Sequence, residues 1–279
     1  MNDPEVIALG TLNEKRVALS ASESADLGRL GLSEYHCRLV IAEVGRALML
    51  AGATVVYGGN LSADGYTDIL LEEAQRFGGS RQLLELTIPE SEYTKHTVSE
   101  LNKIDGRLGE HGKLVLIRSD SVVVQIRDAV TTSSTRVDLS QSLSAMRAYT
   151  STNTDARVVV GGKLTDYQGR LPGVIEEALL TAEAGKTLLV AGGFGGAATV
   201  ISNALNSEAT QGWQPPNFPV HAHSATMEAA LGRLKTSRPY VGSEDEYADR
   251  LRKVLAVSHR PADISTSVIR LLAASFEES

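Results

Sequence analysis

The densest run of chemistry-bearing residues is Val158 to Gly193, VVVGGKLTDYQGRLPGVIEEALLTAEAGKTLLVAGG. An apolar stretch ends in Gly161, Gly162 and Lys163. A loop carrying Arg170 follows, and Pro172-Gly173 then opens a helix with Glu176 and Glu177 in its first turn. A helix start offers unpaired N–H groups and the positive end of the helix dipole, a place for a phosphate. Pro172 suits such a start because its fixed φ is already helical. Glu176 and Glu177 read two ways: acids stabilise a helix start, and a carboxylate there can also act on a bound molecule. Arg170 reads either as a phosphate contact or as a solvated loop residue.

Two further apolar runs end the same way. TVVYGGN closes on Gly58, Gly59 and Asn60, with Asp64-Gly65-Tyr66 just beyond; this turn is also able to bind ribose hydroxyls. TLLVAGG leads into Gly192-Gly193-Phe194-Gly195-Gly196, a tight turn or a platform for an anion or a ring. The first run, RVALSAS, ends in small residues with Ser20 among them. Paired glycines let backbone N–H groups approach a ligand closely. Three such pairs at comparable places predict that Ser20, Gly58, Gly59, Gly161, Gly162, Gly173 and Gly193 surround one cleft.

The elements that must position these residues follow from hydrophobic spacing. Strands are expected at 16–22, 54–60, 83–88, 114–118, 157–163 and 187–193, and helices at 34–51, 67–77, 139–150, 172–184 and 195–205. Short apolar strands alternating with helices predict right-handed βαβ units: an α/β, Rossmann-like parallel sheet flanked by helices. In such sheets ligands bind beyond the carboxyl ends of the strands. Residues 89–138, with the Thr131–Thr135 hydroxyl run, read as otherwise irregular and polar, and 207–224 as a proline-bearing crossing. Extra C-terminal helices are expected at 244–256 and 263–275, in an extension spanning about 225–279. The whole chain, 1–279, reads as one domain with its core at about 16–205.

Bulk properties narrow the function. The chain of 279 residues has ordinary globular composition and a net charge of −7. That charge disfavours non-specific attraction to nucleic-acid backbones, so a nucleic-acid-binding module is the weakest reading. The single cysteine, Cys37, excludes an internal disulfide and reads as a small buried hydrophobe. No apolar run is long enough to span a membrane, and MNDPEVIALG lacks the pattern of a signal peptide, so the expected location is cytoplasmic. His221-Ala-His223 has strand spacing for a metal but no supporting cysteines or carboxylates, so no metal or cofactor is expected. Trp213, beside prolines, reads as packing.

The combination of these motifs resembles the SLOG (SMF/DprA–LOG) superfamily, and in particular its Lonely-guy branch of nucleotide phosphoribohydrolases. Met146-Arg147 stands where that branch has a helical arginine, Gly161-Gly162 matches its strand end, and Gly173-Val-Ile-Glu-Glu177 matches its Gly-Thr-x-x-Glu stretch. Val-Tyr-Gly58-Gly59 with Gly65 resembles its phosphate loop; the likeness runs from about Arg16 to Leu205. The resemblance implies Arg147 and Glu177 as catalytic residues if the chain is an enzyme, and homo-oligomers as the common assembly. A carboxylate can stabilise the positive charge that builds on ribose as an N-glycosidic bond breaks. This chain departs from the pattern. Val160 replaces a proline, Val174 the phosphate-binding threonine and Ala148 a lysine, and ten residues, 163–172, separate Gly162 from Gly173. The longer loop is more like that of superfamily branches that sense ADP-ribose-like molecules, some in bacterial defence proteins. The first expectation is therefore binding or sensing of a nucleotide-derived ligand. The alternative is an N-glycosidase or phosphoribohydrolase.

Overall fold

The computed structural model describes residues 9–59, 61, 64–79, 81–129, 137–207, 223–237 and 245–277. Asn60, the Thr131–Thr135 run, Trp213 and His221 lie outside the described residues.

Six apolar runs become parallel strands: β1 (Arg16–Ser22), β2 (Thr54–Gly58), β3 (Leu84–Pro89), β4 (Gly112–Ile117), β6 (Ala156–Gly161) and β7 (Thr187–Ala191). A short strand, β5 (Val123–Val124), adds an antiparallel edge to β4. The order across the sheet is β5-β4-β3-β2-β1-β6-β7. Every residue of β6 is buried, which explains its unbroken valine run: a central parallel strand is covered on both faces. The chain builds outward from β1 to β4, then returns to lay β6 on the other side of β1. The switch point of the sheet therefore falls between β1 and β6, where ligand crevices of this architecture open.

The described helices are α1 (Glu34–Leu50), α2 (Tyr66–Phe77), α3 (Glu90–Tyr93), α4 (Val98–Leu108), α5 (Leu139–Thr152), α6 (Gly173–Glu183), α7 (Gly196–Leu205), α8 (Ala225–Thr236), α9 (Glu246–Val257) and α10 (Pro261–Glu277); all but α3, α4 and α8 are those expected from the sequence. The strand side chains alternate between two layers. Val17, Leu19, Val158 and Val160 point into a core shared with α1, α2 and α10. Val159, Leu188 and Val190 point into a second core with α6, α7 and α8. Of the C-terminal helices, α9 and α10 pack on each other and on β7, and α10 also lies along α1.

The segment 89–138 is more ordered than its polarity predicts, since it also forms α3, α4 and the edge strand. Helix α4 buries only Leu101 and Leu108 and is defined at its start by a capping box. The Thr97 hydroxyl accepts from the Glu100 amide at 3.2 Å, and the Glu100 carboxylate accepts from the Thr97 amide at 2.7 Å. That T-x-x-E spacing is legible in the sequence. A third C-terminal helix, α8, precedes the two expected ones.

Candidate functional site

Beyond the carboxyl ends of β1, β2 and β6 the surface opens into two adjoining lobes, of about 550 Å3 and about 380 Å3. Gly58, Leu143, Arg147, Gln168 and Glu177 line both. The larger lobe has an apolar side, from Pro89, Val137, Leu139, Leu143 and Met146, and a polar side, from Ser91, Glu92, Thr94 and Lys95. The smaller lobe is bounded by Ser20 to Ser22 of β1, by Lys163 and Asp166 to Gln168 of the loop after β6, and by Gly173 and Val174 at the start of α6.

Arg147 reaches the wall between the lobes from the middle of α5. Its Nη1 donates to Glu176 Oε2 at 2.5 Å, and its Nε stands 3.9 Å from Glu177 Oε1. The Nε is buried and has no hydrogen-bond partner among the described residues, so the guanidinium keeps an unused donor beside Glu177. Room for it depends on Gly173: a Cβ there would lie 2.6 Å from Arg147 Nη2. Glu176 accepts a second bond, from the Ser144 hydroxyl at 2.5 Å, and it lines neither lobe.

Glu177 is held from inside the protein by Arg157, the second residue of β6, which the sequence pattern reads as an ordinary strand position. Arg157 Nη1 lies 3.4 Å from Glu177 Oε2 and donates to Ser20 Oγ at 2.6 Å. Its Nη2 donates to the hydroxyls of Thr150 and Ser151, both at 3.1 Å, and its Nε to that of Thr181 at 2.7 Å. Burial pushes the Arg157 pKa down; Glu177 opposes that shift and Arg147 adds to it. Burial also raises the neighbouring Tyr57 phenol, with a further push from Glu177. An arginine within an apolar run is itself a signal, because a buried charge needs partners. Its partners come from β1, α5 and α6, which only the fold brings together.

Of the residues singled out in the sequence, Ser20, Gly58, Gly59, Arg147, Lys163, Gly173 and Glu177 line the cleft. Gly161 and Gly162 do not. They form the strand exit, both at positive φ (63° and 105°), and at Gly162 a Cβ would also meet Ala197 and Val174 at 2.8 and 2.9 Å. The Gly162 carbonyl instead accepts from the Ala197 amide at 3.0 Å, tying β6 to α7. Gly65 is the N-cap of α2, and Arg170 is exposed in its loop, outside both linings. Gly193 is packed against the carbonyls of Ser258 and Val257, and Phe194 is wholly in the core. The start of α7 is occupied from within: the Asp26 carboxylate accepts from the Gly196 amide at 2.7 Å, where an anion would otherwise sit. The glycine-rich Gly192–Gly196 turn is thus covered by the Ser258 connection and by Asp26. Missed by the sequence reading were Arg157, the apolar side of the larger lobe, and Gln168, which borders both lobes.

Among the described residues no group of three or more His, Cys, Asp or Glu is placed to hold a metal ion, and no helix there is long and apolar enough to cross a membrane. A search of curated proteins by sequence finds no match. A family model described as SLOG cluster2 matches residues 11–232. The chain therefore belongs to the SLOG cluster2 family, a membership that points to a nucleotide-related Rossmannoid domain.

Proposed function

We propose that the chain binds a nucleotide-derived ligand of more than one part, such as an ADP-ribose-like molecule, and serves as its sensor. The observation that carries this reading is the pair of adjoining lobes with Arg147 and Glu177 on their shared wall. Ligand pockets of roughly 300–1,000 Å3 take molecules of this size. The apolar side of the larger lobe suits a base. The smaller lobe, with Lys163, Arg147 and the start of α6, suits phosphate and sugar. Val174 and Ala148, which stand where the Lonely-guy pattern has a threonine and a lysine, fit binding without turnover better than hydrolysis of a monophosphate.

The Glu177 carboxylate, open to both lobes, favours a second reading, an N-glycosidase acting on a nucleotide. Incubation with AMP, NAD or ADP-ribose followed by chromatography separates the two. The sensor releases no base. Isothermal titration of the same molecules measures binding, and Arg147→Ala weakens it by about 2 kcal/mol, the loss of a charge-assisted contact. Base release that disappears in Glu177→Gln would overturn the sensor reading in favour of the hydrolase.

A further inference from the structure

Arg157 is an expensive residue for its position. A central strand covered on both faces is served by an aliphatic side chain, and replacing a buried ion pair by apolar residues is often neutral or stabilising. Yet 3% of this side chain is exposed, and five polar groups converge on it: Ser20, Thr150, Ser151, Thr181 and Glu177. Three of those five are anchored away from the cleft. The Thr150 hydroxyl donates on to the Arg147 carbonyl at 3.0 Å, and Thr181 donates to Ser151 at 3.4 Å. The other two, Ser20 and Glu177, line the smaller lobe.

The consequence is a fixed pattern of donor and acceptor. Ser20 Oγ accepts from Arg157, and none of the described residues accepts its proton, so the hydroxyl is left to donate into the lobe. Glu177 Oε2 is drawn toward Arg157 and Oε1 toward Arg147, and no other described residue donates to this carboxylate. Its remaining lone pairs accept from a ligand.

We propose that Arg157 is a positioning residue: from inside the sheet it sets Ser20 as a donor and Glu177 as an acceptor, so that the smaller lobe selects a ligand carrying a vicinal diol, the ribose 2′- and 3′-hydroxyls, beside an anionic group. The diol selectivity rests on the nucleotide-binding reading above; the positioning does not. Neither residue needs Arg157 in order to exist in the cleft, but both need it to be held in one orientation. The guanidinium holds its Nη1 between them because its Nε and Nη2 are anchored on Thr181, Thr150 and Ser151, whereas a lysine ammonium is a single point with no second nitrogen to anchor.

The test compares wild type with Arg157→Lys, which keeps the charge, and Arg157→Met, which keeps the bulk. Titrations use AMP and 2′-deoxy-AMP, and the ligand-free proteins are solved crystallographically. Wild type is expected to prefer AMP by about 10-fold, the worth of a hydrogen bond to a charged group, and Arg157→Lys to lose that preference while still binding both. A folded Arg157→Lys that retains the preference overturns the proposal, as does one in which both affinities fall in proportion, since that is what a purely structural role gives. If wild type binds neither compound nor ADP-ribose, the nucleotide reading fails and the ligand-free structures decide the positioning. Glu177 and Ser20 should then adopt new rotamers in Arg157→Lys; unmoved side chains overturn it. Should Arg157→Met not fold, Arg157→Lys carries both comparisons.

Discussion

The guanidinium of Arg157 lies 3.4 Å from the carboxylate of Glu177, at the boundary between the core of the sheet and the open cleft. The arginine side chain is 3% exposed and the glutamate 12%. One member of the pair thus belongs to the interior and the other to the binding surface. Stability and function meet in this contact, and the two can be measured separately.

Glu177→Gln keeps the size of the side chain and an acceptor but removes the charge facing Arg157. The buried guanidinium then lacks its counter-charge, and leaving a buried polar partner poorly satisfied costs about 1–3 kcal/mol. Urea denaturation should show a lower midpoint with an unchanged slope. A midpoint equal to that of wild type would mean that the hydroxyls of Ser20, Thr150, Ser151 and Thr181 satisfy Arg157 by themselves.

Gly173→Ala separates helix stability from the cleft. Alanine is the better helix residue, so thermal unfolding should stay level or rise. The new Cβ would lie 2.6 Å from Arg147 Nη2 and force the guanidinium aside. Affinity for a phosphorylated ligand should fall about tenfold, roughly 1.4 kcal/mol. Titration calorimetry beside a melting curve reads both; an unchanged affinity would remove the Arg147 guanidinium from ligand contact.

Cys37 is buried in α1 and its thiol is pushed from 9.0 up to about 12, by burial first and then by Glu23 and Glu34. The thiolate is the reactive form, so at pH 8 this thiol should react with a disulfide reagent on the order of 1,000-fold more slowly in the native protein than in urea. As the chain has one cysteine, the optical signal reports it alone. Fast native labelling would show that α1 opens readily.

The capping box of α4 gives a pH dependence of stability. The Thr97 backbone amide, and then its hydroxyl, hold the Glu100 pKa below the usual 4.5. A depressed acid contributes stability above its unfolded pKa and loses it as pH falls through the folded one. Glu100→Gln should therefore melt slightly below wild type at pH 7, and the two curves should converge as pH falls below 4.5. A difference independent of pH would assign the cap to hydrogen bonding without charge.

The sheet and most of its helices were legible because burial imposes a period. The run RVVVGG, short, β-branched and ending in glycines, reads as a strand, and β6 is that strand, covered on both faces. Gly58, Gly59, Gly173, Arg147 and Glu177 could be brought to one place on motif and strand-end logic, since parallel strands present their carboxyl ends to one edge. The same logic could not distinguish strand ends that face a ligand from those that face the protein. Gly193 sits under Ser258, and Asp26 fills the start of α7 from a loop 170 residues away in sequence. Nor could it give Arg157 its partners. Ser20 is 137 residues distant, and reaches Arg157 only because β1 and β6 are neighbours in register, Ala18 opposite Arg157 and Ser20 opposite Val159. The period of a strand says which face a side chain takes; strand order and register decide whom it meets there. That is why the elements and much of the cleft follow from local pattern, while the partners of the buried charge behind the cleft are decided by the tertiary fold alone.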